Sequence, residues 1–330
     1  MNYSNRQGYQ RRPEYVRQPK KKRSRLTTFL ILLPFMVIFG FVAAISLNVV
    51  KNKQPRYTTV NEQPPSGDLA SQPVEIPSRV TTYLLLGSDY RPNEGARTDV
   101  IILAAVNFKE GKVNLLSFPR DLWVTIPGWE ENRINAAYLY DGIDLLYDTL
   151  EYNFGIRPDH YAMVNFEGFV KIIDALGGID VNAEIAMEDH CEFNEARWCR
   201  VEPGITHMDG TTALWYARAR YNTSDFDRTR RAQEVIKALV KKSVSFEGMI
   251  KSGKLFNTLG SYVETDMTTT DVLPFISKMG SFTADGAITS YRITENEAYS
   301  YYTYSGANVL IPDFDAIRLI IDQTLWISTP

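Results

Sequence analysis

The chain has 330 residues, 44% hydrophobic and 23% charged, with a formal net charge of -3 and only two cysteines. That composition excludes a disordered chain, a collagen-like repeat and a miniprotein built on disulfides. The charge is unevenly spread: residues 1–56 hold 12 basic residues and one acidic, leaving 24 basic against 38 acidic beyond them. The bulk of the chain is therefore a poor general binder of polyanions such as nucleic acid.

Residues 1–25 form a basic tail, with Arg6, Arg11, Arg12, Arg17, Lys20, Lys21, Lys22, Arg23 and Arg25 against Glu14 alone. Leu26 to Val50 follow without a charge, long enough to cross a hydrocarbon core of about 30 Å as a transmembrane helix. The stretch exceeds the apolar core of a cleaved signal peptide, about 7–15 residues, and is expected to stay as an anchor. The heavier basic load on its N-terminal side puts the tail in the cytoplasm; Lys51, Lys53 and Arg56 weaken that bias without reversing it. Basic residues beside a spanning helix orient it and meet anionic headgroups, which accounts for the tail without DNA or RNA. Residues 51–78 are rich in Pro, Ser, Gln and Thr without apolar periodicity, the composition of an extracytoplasmic stalk. Residues 79–330 suffice for one large domain, and no repeat divides them.

Within that domain Tyr83 to Leu86, Val100 to Val106 and Val113 to Phe118 are short aliphatic and β-branched runs that predict buried strands. Ile143, Leu146, Leu150 and Phe154 before Gly155, and Phe166, Phe169, Val170 and Ile173 before Gly177, repeat at helical spacing. Tyr161 to Val164 and Ile179 to Val181 are further strand candidates. Strands alternating with helices predict an α/β sheet covered on both faces. Asp89 follows the first strand, Arg97 and Asp99 precede the second, and Arg120 and Asp121 follow the third, so these charges are expected at one crevice outside the strand ends. Cys191 and Cys199 lie in a polar stretch on the side of the membrane where disulfides persist. Zinc is the rival reading, with His190 adjacent, but the spacing lacks the paired ligands of a closed site.

The segment ALWYARARYNTSDFDRTRRAQEVIKALVKK is the most informative. If Trp215 to Tyr221 is extended, Arg218 and Arg220 share a face about 7 Å apart. Asp225 is a candidate cap for a helix running to about Lys242, with Arg228 and Arg231 in its first turns. Cations are disfavoured at the positive end of a helix, and phosphates are favoured there. Two close arginine pairs, joined by Arg97 and Arg120, therefore point to an anion such as pyrophosphate, because bidentate recognition of phosphate is arginine's strength. The competing reading makes them surface ion pairs worth about 0–1 kcal/mol each. His160, His190 and His207 fall outside the charged motifs and no Gly-x-Ser-x-Gly occurs, which speaks against serine hydrolase chemistry.

The stretches LLLGSDYR, ARTDVIIL, VNLLSFPRDLWVTIPG, NRINAAY, FVKIIDALGGIDV, MDGTTALWYARAR and DFDRTRRAQ, covering roughly Tyr83 to Val240, resemble the LytR-CpsA-Psr family of cell-envelope proteins in sequence and in order. The resemblance implies a mixed central sheet sandwiched between helical layers, preceded by one membrane helix. It implies transfer of a phospho-glycopolymer, such as a teichoic acid or capsular polysaccharide, from a polyprenyl-pyrophosphate donor to a sugar hydroxyl of peptidoglycan. By motif position, Asp89 and Asp99 would hold Mg²⁺; Arg97, Arg120, Arg218, Arg220, Arg228 and Arg231, with Gln233, would bind the pyrophosphate. Catalysis would rest on Arg97, Arg120, Asp121, Arg218 and Arg220. The residue chemistry points the same way, since two carboxylates suit a hard cation bridging phosphate oxygens, and positioning with charge neutralisation is most of what phosphoryl transfer asks of a protein. Ala232 stands where the family often has glutamine, and the Cys191–Cys199 stretch is not a family signature. A metal-dependent hydrolase of the same lipids and a binding or regulatory protein stay open. A lipid groove could draw on Phe166, Phe169, Val170 and Ile173, although apolar periodicity ordinarily marks core.

Overall fold

The computed structural model describes residues 72–91, 95–221, 225–243 and 262–327. The basic tail, the uncharged run 26–50 and the stalk up to residue 71 lie outside the described residues. Among the described residues no helix is long and apolar enough to cross a membrane.

The centre is a six-stranded mixed sheet of β1 (Val80–Arg91), β2 (Gly95–Asn107), β3 (Lys112–Phe118), β6 (His160–Asn165), β11 (Val263–Thr265) and β12 (Ile288–Arg292). Across the sheet their order is β11-β6-β1-β2-β3-β12. β1, β2 and β3 form an antiparallel meander, while β6 joins β1 and β12 joins β3 in parallel. Successive residues go to opposite cores. Leu84, Leu86, Ile101, Leu103, Leu116 and Phe118 pack on one face; Tyr83, Ile102, Ala104, Val106 and Leu115 pack on the other. A sheet buried on both sides needs apolar residues at every position, which is why these strands read as continuous runs.

Helix α1 (Asn135–Phe154) covers the first face together with α6 (Phe314–Thr324) through Leu145, Leu146, Leu150, Ile317 and Ile321. Gly155 ends α1 in a left-handed conformation, φ 69°, which glycine adopts without a Cβ penalty. The second face is covered by Ile236 of α4 (Asp225–Ser243), Phe275 of α5 (Thr269–Lys278) and Phe282 of a short 3-10 turn (Met279–Thr283). A smaller core joins α2 (Phe166–Ala175), α3 (Gly210–Arg218) and α4 to the β7 (Ile179–Ala183) and β10 (Gly204–Met208) ribbon. Ile179 to Val181 thus forms a strand, but one outside the main sheet. Ile173 is buried in this core and Phe169 packs on it, so those two helical positions serve packing. Gly210 starts α3 so close to the Val170 backbone that a Cβ there would lie 2.3 Å from its carbonyl oxygen.

The small hairpins are β4 (Trp123–Val124) with β5 (Asn132–Arg133), β8 (Met187–His190) with β9 (Trp198–Val201), and β13 (Ala298–Tyr302) with β14 (Asn308–Pro312). Cys191 and Cys199 form a disulfide, Cα–Cα 5.7 Å, at the end of β8–β9. Residues 72–78, assigned to the stalk by composition, lie on the domain. The Val74 N–H donates to the Gly155 carbonyl at 2.7 Å, Arg318 donates to the Gln72 carbonyl, and Val74 and Ile76 pack on the main core.

Candidate pyrophosphate site

The strands run further than their apolar stretches. Beyond Leu86 and Val100, β1 and β2 continue as a polar two-stranded extension whose register shifts at Gly87/Ser88. Gly87 faces Val100 and Ser88 faces Thr98, so Asp99 is the extra residue of a β-bulge, while Asp89 faces Arg97. Bulges re-aim side chains beside functional sites, and here Asp89, Arg97 and Asp99 line one cleft of about 340 Å³.

The next group enters from the end of β3. The Leu122 N–H returns to the Pro119 carbonyl, closing a turn with Arg120 and Asp121 at its centre. Arg120 donates from Nη1 to Asp99 Oδ1 at 2.6 Å and from Nε to Asp121 Oδ2 at 3.3 Å. Arg133, from β5, meets Asp121 Oδ1 at 3.1 Å, and Arg228, from the first turn of α4, approaches Asp121 Oδ2 at 3.9 Å. One buried carboxylate is the hub of three guanidinium groups from three separate segments. Asn132, Asn135 and Tyr140 complete the wall, the last two from the first turns of α1. Of these, Arg133, Asn132, Asn135 and Tyr140 were not singled out from the sequence. Asn132, Arg133 and Asn135 belong to the motif NRINAAY, which has no charge clustering of its own to mark it, and Tyr140 lies two residues beyond it.

Four expected site residues are placed differently. Trp215 to Arg218 is helical, the end of α3, so Arg218 and Arg220 are not alternate residues of a strand. The apolar face of Ala213 and Tyr216 outweighs any strand preference. Arg218 is exposed, lies over the Phe166 ring at 4.0 Å and reaches Asp89 at 3.9 Å, at the margin of the cleft. Arg220 is exposed, outside the cleft lining; its backbone N–H, with that of Tyr221, donates to Asp189 Oδ2. Arg231 turns inward. Fully buried, it donates to the carbonyls of Tyr216 and Ala219 at the end of α3, and burial, then the adjacent Arg230 charge, draws its guanidinium below its ordinary value. Gln233 is also buried and donates to Ser117 Oγ and the Tyr291 carbonyl, tying α4 to β3 and β12. The side chain of Asp225, the candidate cap, lies outside the described residues.

The cleft and its margin hold Arg97, Arg120, Arg133, Arg218 and Arg228 against Asp89, Asp99 and Asp121, a surplus of two positive charges. Among the described residues no group of three or more His, Cys, Asp or Glu gathers to hold a metal by protein ligands alone. Asp89 and Asp99 nonetheless offer hard oxygens on one cleft, a set that fits Mg²⁺ taking its remaining ligands from water and phosphate oxygens.

The family model for the LytR_cpsA_psr family matches residues 46–313. This chain belongs to that family. Among its relatives, "Regulatory protein MsrR" of Staphylococcus aureus (strain COL) is 35% identical over 198 residues, 59% of this chain and 58% of MsrR. "Polyisoprenyl-teichoic acid--peptidoglycan teichoic acid transferase TagU" of Bacillus cereus is 34% identical over 201 residues, 60% of this chain and 62% of TagU. The matched segment thus spans about three fifths of these relatives. The crystal structure of TagV from B. subtilis superposes with a TM-score of 0.62 at 26% identity, covering 76% of this chain and 99% of TagV. The mixed sheet between helices is therefore the architecture of this family's solved members.

Proposed function

We propose that this chain transfers a phospho-glycopolymer from a polyprenyl-pyrophosphate donor to a peptidoglycan hydroxyl, as an extracytoplasmic enzyme anchored by residues 26–50. The observation that carries this reading is the convergence of Arg120, Arg133 and Arg228 on Asp121 beside Asp89 and Asp99. A pyrophosphate diester bears one negative charge on each phosphate, and the surplus of positive side-chain charge, to which Mg²⁺ would add, suits such an anion. The transferase name of TagU supports the reaction class, and the disulfide suits an oxidising compartment.

In this reading Arg120, Arg133 and Arg228 grip the phosphate oxygens by charge-assisted hydrogen bonds, and Asp121 holds the three guanidinium groups in register before the donor arrives. The acceptor hydroxyl oxygen attacks the phosphorus bearing the glycopolymer. The anhydride bond breaks, polyprenyl phosphate leaves with the electron pair, and the hydroxyl proton ends on that leaving phosphate monoester, directly or through water. Mg²⁺ at Asp89 and Asp99 would neutralise charge on the phosphate oxygens. Arg97 and Arg218 flank that pair and would follow charge moving to the leaving phosphate.

The test incubates the full-length chain in micelles with lipid-linked donor, peptidoglycan and Mg²⁺. Polyprenyl phosphate and phosphodiester-linked peptidoglycan should appear in equal amounts. Release of polyprenyl phosphate without a peptidoglycan adduct would instead identify a hydrolase, and no release would leave a binding protein.

A further inference from the structure

The β13–β14 hairpin has no charged residue from Ala298 to Pro312, and its sequence AYSYYTYSGAN holds four tyrosines. Tyr299, Tyr301 and Tyr302 are 59%, 53% and 68% exposed, and Tyr304 is fully exposed. Alternation puts Tyr299 and Tyr301 on one face about 7 Å apart. Tyr302 falls on the opposite face, so exposed tyrosines stand on both faces of one uncharged hairpin. Single exposed aromatics are ordinary on a soluble domain, whereas several on one element mark an interaction surface.

This hairpin is joined to the cleft. The Leu310 N–H donates to the Asp121 carbonyl at 2.9 Å, Arg133 Nη2 donates to the Asn308 carbonyl at 2.7 Å, and Leu310 forms a bridge with Leu122. Trp129, 54% exposed in the β4–β5 loop, stacks on Tyr140 with ring centroids 4.4 Å apart, and Tyr140 lines the cleft. One aromatic pair thus stands at the cleft wall, and the tyrosine hairpin is fixed to the backbone of the cleft's central carboxylate.

We infer that the tyrosine hairpin, with the Trp129–Tyr140 pair, binds a neutral carbohydrate strand and presents one of its hydroxyls to the cleft. The inference rests on the transfer reading above, for which it supplies the acceptor subsite. Pyranose rings offer a face of C–H groups that lies on the negative face of an aromatic ring, while phenol and hydroxyl groups answer the sugar's own hydroxyls. Ser300, Thr303 and Ser305 add such groups to the hairpin. Residues 298–312 offer an anionic polymer no cation and a basic polypeptide no carboxylate; the charges nearest the surface are Arg133, on the cleft side, and Glu130 and Glu131 beside Trp129. A bilayer interface pairs its Tyr and Trp with flanking Lys or Arg, which residues 298–312 lack.

The experiment uses the full-length chain in micelles with two probes, a linear β-1,4-linked N-acetylhexosamine oligosaccharide and inorganic pyrophosphate. Wild type is compared with Tyr299→Ala/Tyr301→Ala/Tyr302→Ala, with Tyr301→Trp and with Arg120→Ala. Saccharide affinity should fall about tenfold or more in the triple variant, persist in Tyr301→Trp, which keeps a ring, and be unchanged in Arg120→Ala. Pyrophosphate affinity should fall in Arg120→Ala and be unchanged in the triple variant and in Tyr301→Trp. Wild type that binds saccharide but not pyrophosphate would sink the cleft reading and leave the hairpin assignment standing. Wild type that fails to bind saccharide, or a folded triple variant that binds it fully, overturns the assignment. So does a triple variant whose only change is lost self-association in sedimentation or lost vesicle binding. If the triple variant melts early, the three single Tyr→Ser changes carry the comparison.

Discussion

Arg120 and Arg231 belong to one arginine set by motif, and the structure gives them opposite work. Arg120 stands in the cleft between Asp99 and Asp121, among further guanidinium groups. Removing it relieves repulsion between like charges as well as breaking two ion pairs, so Arg120→Ala should shift the melting temperature little. It should weaken inorganic pyrophosphate binding by about 1.5–3 kcal/mol, tenfold to hundredfold, as read by calorimetry. Arg231 spans the end of α3 and is fully buried. Arg231→Ala would leave two carbonyls without this donor and open a void. It should cost about 2–4 kcal/mol of stability, and melting should fall by about 5–10 °C. A cleft role for Arg231 would give the reverse: lost binding with unchanged melting.

At the scale of elements, the β8–β9 hairpin braces the segment that follows α3. Asp189 on β8 accepts from the backbone N–H groups of Arg220, Tyr221 and His190. Desolvation pulls its carboxyl up, those hydrogen bonds more than offset it, and the group rests below its ordinary value of 3.8. A carboxyl depressed in the fold contributes stability that is complete above its unfolded value and is lost as pH falls through the folded one. Wild type should therefore lose melting temperature more steeply than Asp189→Asn below pH 3.8, and equal slopes would remove the brace. The Cys191–Cys199 disulfide closes the hairpin; Cys191→Ser/Cys199→Ser should cost about 2–3 kcal/mol in thermal melts with little loss of pyrophosphate binding.

The same elements show what the sequence disclosed. Buried strands and α1 were legible because apolar period and burial coincide there. The polar ends of β1 and β2 were not, since cross-strand pairing carries no hydrophobic signal. Asp89, Asp99, Arg120 and Asp121 could be placed together from strand ends, and Arg228 from its helix. Arg133 required the β4–β5 hairpin, and the inward turn of Arg231 depended on where α3 ends; neither follows from spacing along the chain.

Over the whole molecule, the cleft and the point where the N-terminal segment joins the domain lie at opposite ends of α1. Asn135 and Ala136 line the cleft, whereas Gly155, just past the helix, receives the Val74 N–H. α1 is kinked at Asp141 and Gly142, so its 20 residues span at most on the order of 30 Å. On the anchored reading, the stalk must let the domain turn its cleft toward a donor held in the bilayer. Residues 51–71 reach about 70 Å when extended, and deleting 57–68 would leave about 30 Å, comparable with that upper bound. That deletion should sharply reduce turnover of donor in liposomes, measured as released polyprenyl phosphate, while inorganic pyrophosphate binding in micelles stays unchanged. An equal-length Gly/Ser replacement of 57–68 should restore turnover, because reach rather than sequence is what the stalk supplies. Full turnover by the shortened chain would show that the cleft meets the bilayer without slack, and failure of the Gly/Ser chain would give the stalk a sequence-specific role instead.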